Sequence, residues 1–484
     1  MSLASLLLPA LRWEPSHGFD YLRDSIDDAL ELGVGGFLIR GGPRSEVASL
    51  VAELHSRSSI PLLLAADVER GAGQQFDGCI CLPPLGALAS FNDVDTMRRA
   101  ARITARELKQ MGLNWALAPV CDLDVEPGSA IVGTRSPGAD ASAAAPLVAE
   151  WIDACQAEGV LACAKHFPGH GQAAEDSHRT LPSVGAGAAQ LWNDDIFPFR
   201  AAVDAGVASI MTAHVAYPTL DSSGLPATLS EPILTTLLRH EMEFDGLVAS
   251  DSLEMDGLLA AGTEFDVAVR AISAGCDVLL APMDIDGVAR ALERAEQGGT
   301  LPAERVRDAI SRRDRWAVWA RPVEARESTL DDIMWVRRTA DRSVHLVRGS
   351  LPRIGGAVEL VELDEDAGGA WSVPSREHFG AALHTLEVDA TPVEHPSSNT
   401  RVPVLIAAYS DVIAWKGNSG FSSVTITHIE RIIAAAREQR RDVLLVLFSH
   451  PRCAASMPFA PNVLCAWGGE RPMQEAAARA ITRG

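Results

Sequence analysis

The chain has 484 residues, of which 47% are hydrophobic and 22% are charged, a balance typical of a folded globular protein with two or three domains. The formal net charge is −22, and no basic cluster of useful length occurs. We therefore expect neither nucleic acid nor an anionic membrane as a partner, because both would be repelled by an acidic surface.

The first apolar run, residues 5–11, is predicted to be a buried strand. No positive charge precedes it, and Arg12-Trp13-Glu14 follows it where a signal peptide would have small residues. No apolar run in the chain approaches the ~20 residues that a membrane span needs. The eight cysteines are scattered, several of them inside apolar runs, which favours reduced thiols in the core. These features predict a cytoplasmic protein.

Short apolar runs alternate with longer amphipathic stretches up to about residue 320. The runs cover residues 5–11, 35–40, 61–67, 113–119, 160–167, 207–214, 246–251 and 276–282. Near-continuous apolar runs are typical of parallel strands that are buried on both faces. Eight such units predict a (β/α)₈ barrel over residues 1–320. A doubly wound sheet is the competing architecture, because periodicity does not show whether a sheet closes.

Polar residues stand at the C-terminal ends of five of these predicted strands. They are Asp67, Asp122, Lys165-His166, His214 and Asp251. In a barrel these ends converge on one face, where the active site is built. Polar residues at the ends of five different strands favour the barrel over an open sheet.

The second part of the chain is predicted to be a smaller α/β sandwich over residues 346–484. A charged stretch, residues 321–332, begins a linker that we place at 321–345 and that includes a helix. Residues 357–363, 402–409 and 443–449 are predicted strands, whereas 424–437 and 473–482 are predicted helices. Ser422 or Ser423 is a plausible N-cap of the first of these helices.

The densest polar segment is residues 165–182, which includes Lys165-His-Phe-Pro-Gly-His-Gly171 and Asp176-Ser-His178. Its proline and glycines predict a long loop over the barrel mouth. Three interpretations are open: a solvated surface loop, a metal site, or a proton-transfer pair. A metal site would use His166, His170, His178 and His214 with an acid, but their spacing is not that of a helical His-Glu-x-x-His site.

The proton-transfer interpretation is favoured. Asp176 and His178 are two residues apart, so in an extended loop their side chains lie on the same side. The carboxylate can then bind one ring nitrogen and prepare the other to give or take a proton. Asp251, at the end of another apolar strand, is a carboxylate that is costly there unless it is functional or well paired. Asp67, before a glycine-rich turn, is suited to binding vicinal hydroxyl groups.

Residues 165–178 resemble the Lys-His-Phe-Pro-Gly-His-Gly…Asp-Ser-His signature of the family 3 β-N-acetylhexosaminidases. Three further segments agree with this family: Gly133-Thr-Arg-Ser136, Met211-Thr-Ala-His214 and Ser250-Asp251. The resemblance covers most of residues 20–320, in the expected order. The second domain is similar, more weakly, to the α/β sandwich of many family 3 members.

The resemblance implies a retaining exo-β-N-acetylhexosaminidase that acts on terminal N-acetylglucosamine without a metal or other cofactor. Asp251 would be the nucleophile, and His178, oriented by Asp176, would be the acid and base. The residues that would bind the sugar are Asp67, Arg135, Lys165, His166 and His214.

Three alternatives to this function remain open: a phosphorylase that uses the same pocket, a family 3 β-glucosidase or xylosidase on unmodified sugars, and a sugar-binding protein without catalysis. Two departures from the family pattern bear on substrate contacts. Ser252 follows Asp251 where many relatives have a second aspartate, and Gln74-Gln75 stands where the turn after Asp67 commonly ends in an arginine. The sequence gives no oligomeric state.

Overall fold

The computed structural model describes residues 2–320, 326–367, 373–414 and 416–483. The chain forms two compact units. The first comprises Met1–Ile80, Phe91–Val132 and Ser136–Ser328, and the second comprises Cys81–Ser90, Gly133–Arg135 and Thr329–Gly484. Part of the predicted linker, residues 321–325, lies outside the described residues. The boundaries predicted at 320 and 346 stay predictions.

The first unit alternates parallel strands with helices. Its strands are β1 (Leu7–Leu8), β2 (Ala10–Arg12), β3 (Gly36–Arg40), β4 (Leu63–Ala66), β5 (Trp115–Ala116), β6 (Leu161–Phe167), β7 (Ser209–Thr212), β8 (Leu247–Ser252) and β9 (Val278–Leu280). The α-helices up to residue 320 are α1 (Arg23–Leu32), α2 (Arg44–Arg57), α3 (Leu85–Ala89), α4 (Val94–Gln110), α5 (Ala141–Ala157), α6 (Ala188–Asn193), α7 (Phe197–Asp204), α8 (Asp256–Leu259), α9 (Glu264–Ala274), α10 (Ile285–Gln297) and α11 (Ala303–Trp319). A π-helix covers Pro232–Glu241. Helix α3 falls in the second unit.

The sheet of the first unit closes into a barrel through its first strand. Strands β1 and β2 are separated only by Pro9, which interrupts the ladder because proline has no N–H to donate. Strand β1 pairs with β9 and β2 pairs with β3, so this one segment joins both edges of the sheet. Counted with β1 and β2 as one strand, the barrel has eight parallel strands. The predicted (β/α)₈ architecture is confirmed, and the open doubly wound sheet is excluded.

Alternate residues of the strands fill the barrel interior, because successive side chains of a strand point to opposite faces. The buried interior cluster takes two residues, i and i+2, from each of several strands: Leu63 and Ala65, Leu161 and Cys163, Leu247 and Ala249, and Val278 and Leu280. Trp115 is the largest member, and its indole Nε1–H donates to Ser209 Oγ at 2.8 Å. The barrel is therefore a packed core, and polar side chains are left to the strand ends.

The second unit is a six-stranded sheet with helices on both faces. Its elements are α12 (Leu330–Ser343), β10 (His345–Arg348), β11 (Ala357–Asp364), α13 (His378–Thr385), β12 (Asp389–Pro392), β13 (Val404–Tyr409), α14 (Ser423–Glu438), β14 (Val443–Phe448), β15 (Val463–Cys465) and α15 (Arg471–Arg483). The strand order is β10-β15-β14-β13-β11-β12, and only β10 is antiparallel to its neighbour. One face packs against α13 and α15, and the other packs against α14. The predicted α/β sandwich is confirmed.

Ser422 is the N-cap of α14, as one of the two predicted alternatives, and accepts from Thr425 N. Strands β10, β12 and β15 were not predicted, because three or four residues carry too little pattern to stand out. Among the helices that the structure describes, none combines the length and apolar composition of a membrane span.

Gly36→Ala is expected to destabilise the barrel strongly. A Cβ at Gly36 would lie 1.8 Å from the carbonyl oxygen of Leu63 on the paired strand, and backbone cannot move aside without breaking the ladder. We expect a loss of about 3 kcal/mol or more in the free energy of unfolding, measured with urea. Gly185→Ala is the matched control, because nothing lies within 4 Å of its added Cβ. Equal stability of the two variants would contradict this account of the strand pair.

Candidate active site

The predicted pair Asp176 and His178 is formed in the loop that follows β6. His178 Nδ1–H donates to Asp176 Oδ1 at 2.8 Å, and the His178 backbone N–H donates to the same oxygen at 2.9 Å. Asp176 is buried, whereas the side chain of His178 keeps 15% of its surface exposed. The carboxylate therefore fixes the ring and its tautomer, as the predicted proton transfer at Nε2 requires.

Residues 168–182, which we call the dyad loop, are not a solvated surface segment. Strand β6 continues to Phe167, the end of the predicted apolar run, so the loop begins three residues later than the predicted 165–182, and residues 168–171 are also buried. The His170 N–H donates to Asp122 Oδ1 at 2.7 Å, and Tyr217 Oη–H donates to the Gly169 carbonyl at 2.7 Å. The start of the loop is thus held by polar side chains from beneath.

The dyad loop is also attached to the segment that follows Asp251. The Asp256 N–H donates to the His178 carbonyl at 3.2 Å. Gly257 passes so close to the loop that a Cβ there would lie 2.3 Å from the Ser177 carbonyl oxygen. Because Asp251 lies in β8 of the same segment, the backbone of the dyad and the backbone after Asp251 are held together.

Asp251 is partly exposed and surrounded by histidines. The Ser252 N–H donates to Asp251 Oδ1 at 2.7 Å. Burial raises the pKa of Asp251, but the nearby His166, His214 and His178 outweigh it and hold the pKa well below its usual range. The carboxylate is therefore ionised at neutral pH, the form that the predicted role as nucleophile requires.

Lys165 lies between two carboxylates. Its Nζ is 2.9 Å from Asp67 Oδ1 and 2.8 Å from Glu69 Oε1. The Lys165 side chain is only 2% exposed, whereas Asp67 keeps 27% of its side-chain surface exposed. The predicted binding residues Lys165 and Asp67 are thus in direct contact, and Asp67 is the one with exposed surface for a ligand.

His166 forms a second Asp–His pair. Its Nδ1–H donates to Asp122 Oδ2 at 2.6 Å, and its backbone N–H donates to Asp122 Oδ1 at 3.1 Å. Burial raises the pKa of Asp122, but His166 and His170 outweigh it and lower the pKa below its ordinary value. Asp122 therefore stays ionised, and His166 has its Nε2 directed away from this pair.

His214 uses both ring nitrogens within the protein. Nε2 is 3.1 Å from the Ser252 carbonyl oxygen and Nδ1 is 2.7 Å from Thr228 Oγ1. Burial lowers the pKa of His214, so the ring is neutral at pH 7. In that state Nε2–H donates to the carbonyl and Nδ1 accepts from the threonine. His214 thus fixes the end of β8, and its predicted contact with the sugar stays a prediction.

Arg135 ends a 3₁₀ turn, Gly133–Arg135, which belongs to the second unit and not to the barrel. Its predicted contact with the sugar stays a prediction. The amide of Gln74, one of the two glutamines that replace the family arginine, is occupied locally, because its Oε1 accepts from Arg70 N at 2.8 Å.

Several site residues had no role assigned from the sequence. Glu69 and Asp122 both follow strands, which was the available signal, but their partners Lys165 and His166 lie far along the chain. Asp195 gave no signal at all. It is buried after α6, its Oδ2 accepts from Gln172 Nε2 in the dyad loop, and its Oδ1 has no hydrogen bond to any described residue. Burial raises the pKa of Asp195 to about 6.

Comparison with known families now adds an independent observation. The model of the glycosyl hydrolase family 3 N-terminal domain matches residues 42–315, more than half of the chain. This chain belongs to glycosyl hydrolase family 3. The resemblance inferred from the motifs is confirmed, and the matched residues include those that surround Asp251 and both Asp–His pairs.

Three similar proteins illustrate the relationship within family 3. A protein of Cellulomonas fimi named β-N-acetylglucosaminidase/β-glucosidase is 36% identical over 58% of this chain and 51% of its own length. A β-hexosaminidase of Chromobacterium violaceum is 36% identical over 51% of this chain and 71% of its own length. The structure of a family 3 β-N-acetylglucosaminidase from Paenibacillus sp. str. FPU-7 matches with a TM-score of 0.87 and 26% identity, covering 99% of this chain and 96% of that one.

The raised pKa of Asp195 predicts how its contribution to stability changes with pH. A carboxyl with a pKa of about 6 in the fold and 3.8 when unfolded favours folding below pH 3.8, and this contribution is lost as the pH rises through 6. Relative to Asp195→Asn, which does not titrate, the wild type should therefore lose about 1–2 kcal/mol of unfolding free energy between pH 5 and pH 8.

Urea unfolding of both proteins at pH 5, 6.5 and 8 measures this difference. Any effect of the asparagine side chain on packing is the same at each pH, so it does not alter how the difference in unfolding free energy changes with pH. A difference that is constant over this range would show that Asp195 has an ordinary pKa.

Proposed function

We propose that this family 3 chain is a retaining exo-β-N-acetylhexosaminidase that hydrolyses terminal β-linked N-acetylglucosamine. The observation that carries the proposal is the 2.8 Å bond between Asp176 and His178 in a loop attached to the segment of Asp251. The names of the relatives agree with it, although the chain spans about half the length of the Cellulomonas fimi protein.

In the first step, Asp251 attacks the anomeric carbon and the glycosidic bond breaks. The lowered pKa of Asp251 keeps its carboxylate ionised and ready to form the covalent glycosyl-enzyme. His178 gives the proton on Nε2 to the departing oxygen, while Asp176 stabilises the ring through Nδ1. The aglycone leaves as a neutral alcohol and His178 is left neutral.

In the second step, the neutral His178 takes a proton from water as its oxygen attacks the anomeric carbon. The bond to Asp251 breaks, and the carboxylate is regenerated. Two inversions at the same carbon retain the β-configuration of the sugar. The net reaction consumes one water and leaves both side chains in their starting protonation states.

The sugar is placed by groups whose positions are fixed before it binds. Asp67 is proposed to accept from hydroxyl groups with its exposed surface, while Lys165 holds it in place. His166, oriented by Asp122, is proposed to contact the sugar through Nε2. Arg135 is proposed to bind the sugar as the family resemblance implies, and His214 to support the site by fixing Ser252.

We further propose a cytoplasmic location, with cell-wall fragments as the source of the sugar. All eight cysteines are free thiols, as is typical of proteins in a reducing compartment.

The function is tested with two aryl glycosides, an N-acetyl-β-glucosaminide and a β-glucoside. We expect turnover of the first to exceed that of the second, and Asp251→Ala to remove essentially all turnover because no other group can form the covalent intermediate. A fluorinated sugar should label the peptide that contains Asp251, as read by mass spectrometry. Faster turnover of the glucoside would contradict the substrate, and a label on Glu254 or Asp256 would contradict the nucleophile.

His178→Ala should impair substrates with poor leaving groups far more than those with good ones. Nitrophenolate departs without a proton, whereas an alkyl or sugar aglycone needs one, and general acid catalysis is typically worth about 10²–10⁴-fold. The measurement is kcat/KM across a series of leaving groups. An equal loss for every member of the series would contradict the acid role of His178 and would indicate a binding role.

Phosphorolysis is the second candidate, and the histidine of the dyad is the observation that favours it. A carboxylate base repels an incoming phosphate dianion, and two like charges ~4 Å apart cost about 4 kcal/mol at an effective dielectric near 20. A neutral histidine imposes no such barrier, although Asp176 restores part of the negative field. Products formed with and without millimolar phosphate separate the two reactions. Sugar 1-phosphate as the main product would replace hydrolysis by phosphorolysis while Asp251 and His178 keep their roles.

A further inference from the structure

Asp195 lies beneath the start of the dyad loop, in the short connection between α6 and α7. Its side chain packs directly against Gly169, where an added Cβ would lie 2.8 Å from Asp195 Cβ and 3.1 Å from the Asp195 carbonyl oxygen. Gly169 has a φ of +124°, a conformation that favours glycine, so the loop passes over Asp195 with no room for a side chain.

The only hydrogen bond that the described side chains make to the Asp195 carboxylate comes from Gln172 Nε2. Asp122 and Tyr217 hold the backbone of the loop earlier, at His170 and Gly169. Gln172 is thus nearer to the dyad along the chain than His170 and Gly169. Ala174 and Glu175, which follow it, are exposed, and the chain is buried again at Asp176. Closer still to the dyad, the Ala174 carbonyl accepts from Ala130 N at 3.2 Å. Among the side-chain hydrogen bonds named here, the Asp195–Gln172 bond is therefore the one that holds the loop nearest to the dyad.

A buried carboxylate with an oxygen that bonds to no described residue is unfavourable for stability. An apolar residue would fill the same space without this penalty. The carboxylate does, however, provide a stronger acceptor for the Gln172 amide than a neutral group would. The Asp195 carboxylate therefore lowers stability but binds Gln172 strongly, and through Gln172 it holds the loop that carries His178.

We propose that Asp195 is a positioning residue for His178: through Gln172 it holds the dyad loop in the conformation that places the acid over the departing oxygen. The inference rests on the proposed glycosidase function and adds a residue outside the family motifs quoted above. Asp195 itself touches neither the sugar nor the reacting atoms in this proposal, and it acts only through the loop.

The test compares Asp195→Ala, Gln172→Ala and the double variant across the same leaving-group series as His178→Ala. Misplacing an acid by about 1 Å can cost about 10²-fold, so we expect a loss of about 10-fold or more on poor leaving groups. For dinitrophenyl leaving groups, which need no proton, the loss should stay within about twofold. Because both side chains act through one bond, the double variant should be no worse than the worse single variant. Asp195→Asn, which keeps an acceptor oxygen, should recover most of the activity.

Asp221→Ala is the matched control. Asp221 follows β7 and accepts from Ser223 N at 2.9 Å and Ser230 Oγ at 2.6 Å, both outside the dyad loop. It should lower stability without any dependence on the leaving group. If Asp195→Ala does not fold, Gln172→Ala decides, because it removes the same bond and leaves residue 195 unchanged.

The outcomes separate this proposal from the proposed function. No turnover by the wild type, or no leaving-group dependence in His178→Ala, would overturn the function itself. If both of those results are as expected, an equal loss across all leaving groups in Asp195→Ala would overturn the positioning role. Additive losses in the double variant would also overturn it, because they would show that Asp195 does not act through Gln172.

Discussion

The carboxylate of Asp122 is the contact on which the geometry of the site depends. It accepts from the backbone N–H groups of His166 and His170 and from the ring of His166. These three bonds tie the segment after β5 to the end of β6 and to the first turn of the dyad loop. A carboxylate in this position also satisfies backbone donors that a chain leaving a strand would otherwise bury without partners. The loop can therefore be buried and follow a fixed path. A fixed path is what the proposed role of His178 requires, because the ring would have to reach the departing oxygen of the substrate.

Further carboxylates around the barrel mouth are held by ion pairs or hydrogen bonds. Carboxylates there are paired with a cation or an imidazole. The partner lies on a distant segment for Asp122, Asp67 and Glu69, and two residues away in the dyad loop for Asp176. Asp122 pairs with His166, and Asp176 pairs with His178. Lys165 forms ion pairs with both Asp67 and Glu69. Because breaking such a buried pair leaves an uncompensated charge, the pairs fix the relative positions of the segments at the barrel mouth. Asp195 departs from this pattern, because an amide and not a charged group is its partner.

The barrel and the ends of its strands could be predicted because both produce local sequence patterns. Parallel strands buried on both faces give continuous apolar runs, and a polar residue directly after such a run is conspicuous. The pair Asp176 and His178 was also predictable, since the two residues are neighbours in the chain. The partners of Lys165, by contrast, lie almost 100 residues away, and nothing in the segment around Asp195 marks it as buried. Contacts between distant segments are set by barrel closure, which leaves no local pattern.

Ser252, where many relatives have an aspartate, bears on how charge is distributed around the proposed nucleophile Asp251. Negative charge is present two residues after Ser252, where Glu254 accepts from Arg40 at 2.9 Å and from Arg12 at 2.5 Å. Burial raises the pKa of Glu254, but the two arginines lower it below its ordinary value, so its charge is neutralised locally. A carboxylate at position 252 would instead stand beside Asp251 and raise its pKa. With serine at position 252, His166, His214 and His178 outweigh burial in setting the pKa of Asp251. This keeps Asp251 ionised, as its proposed role as nucleophile requires, beside a His178 that is proposed to start the reaction protonated.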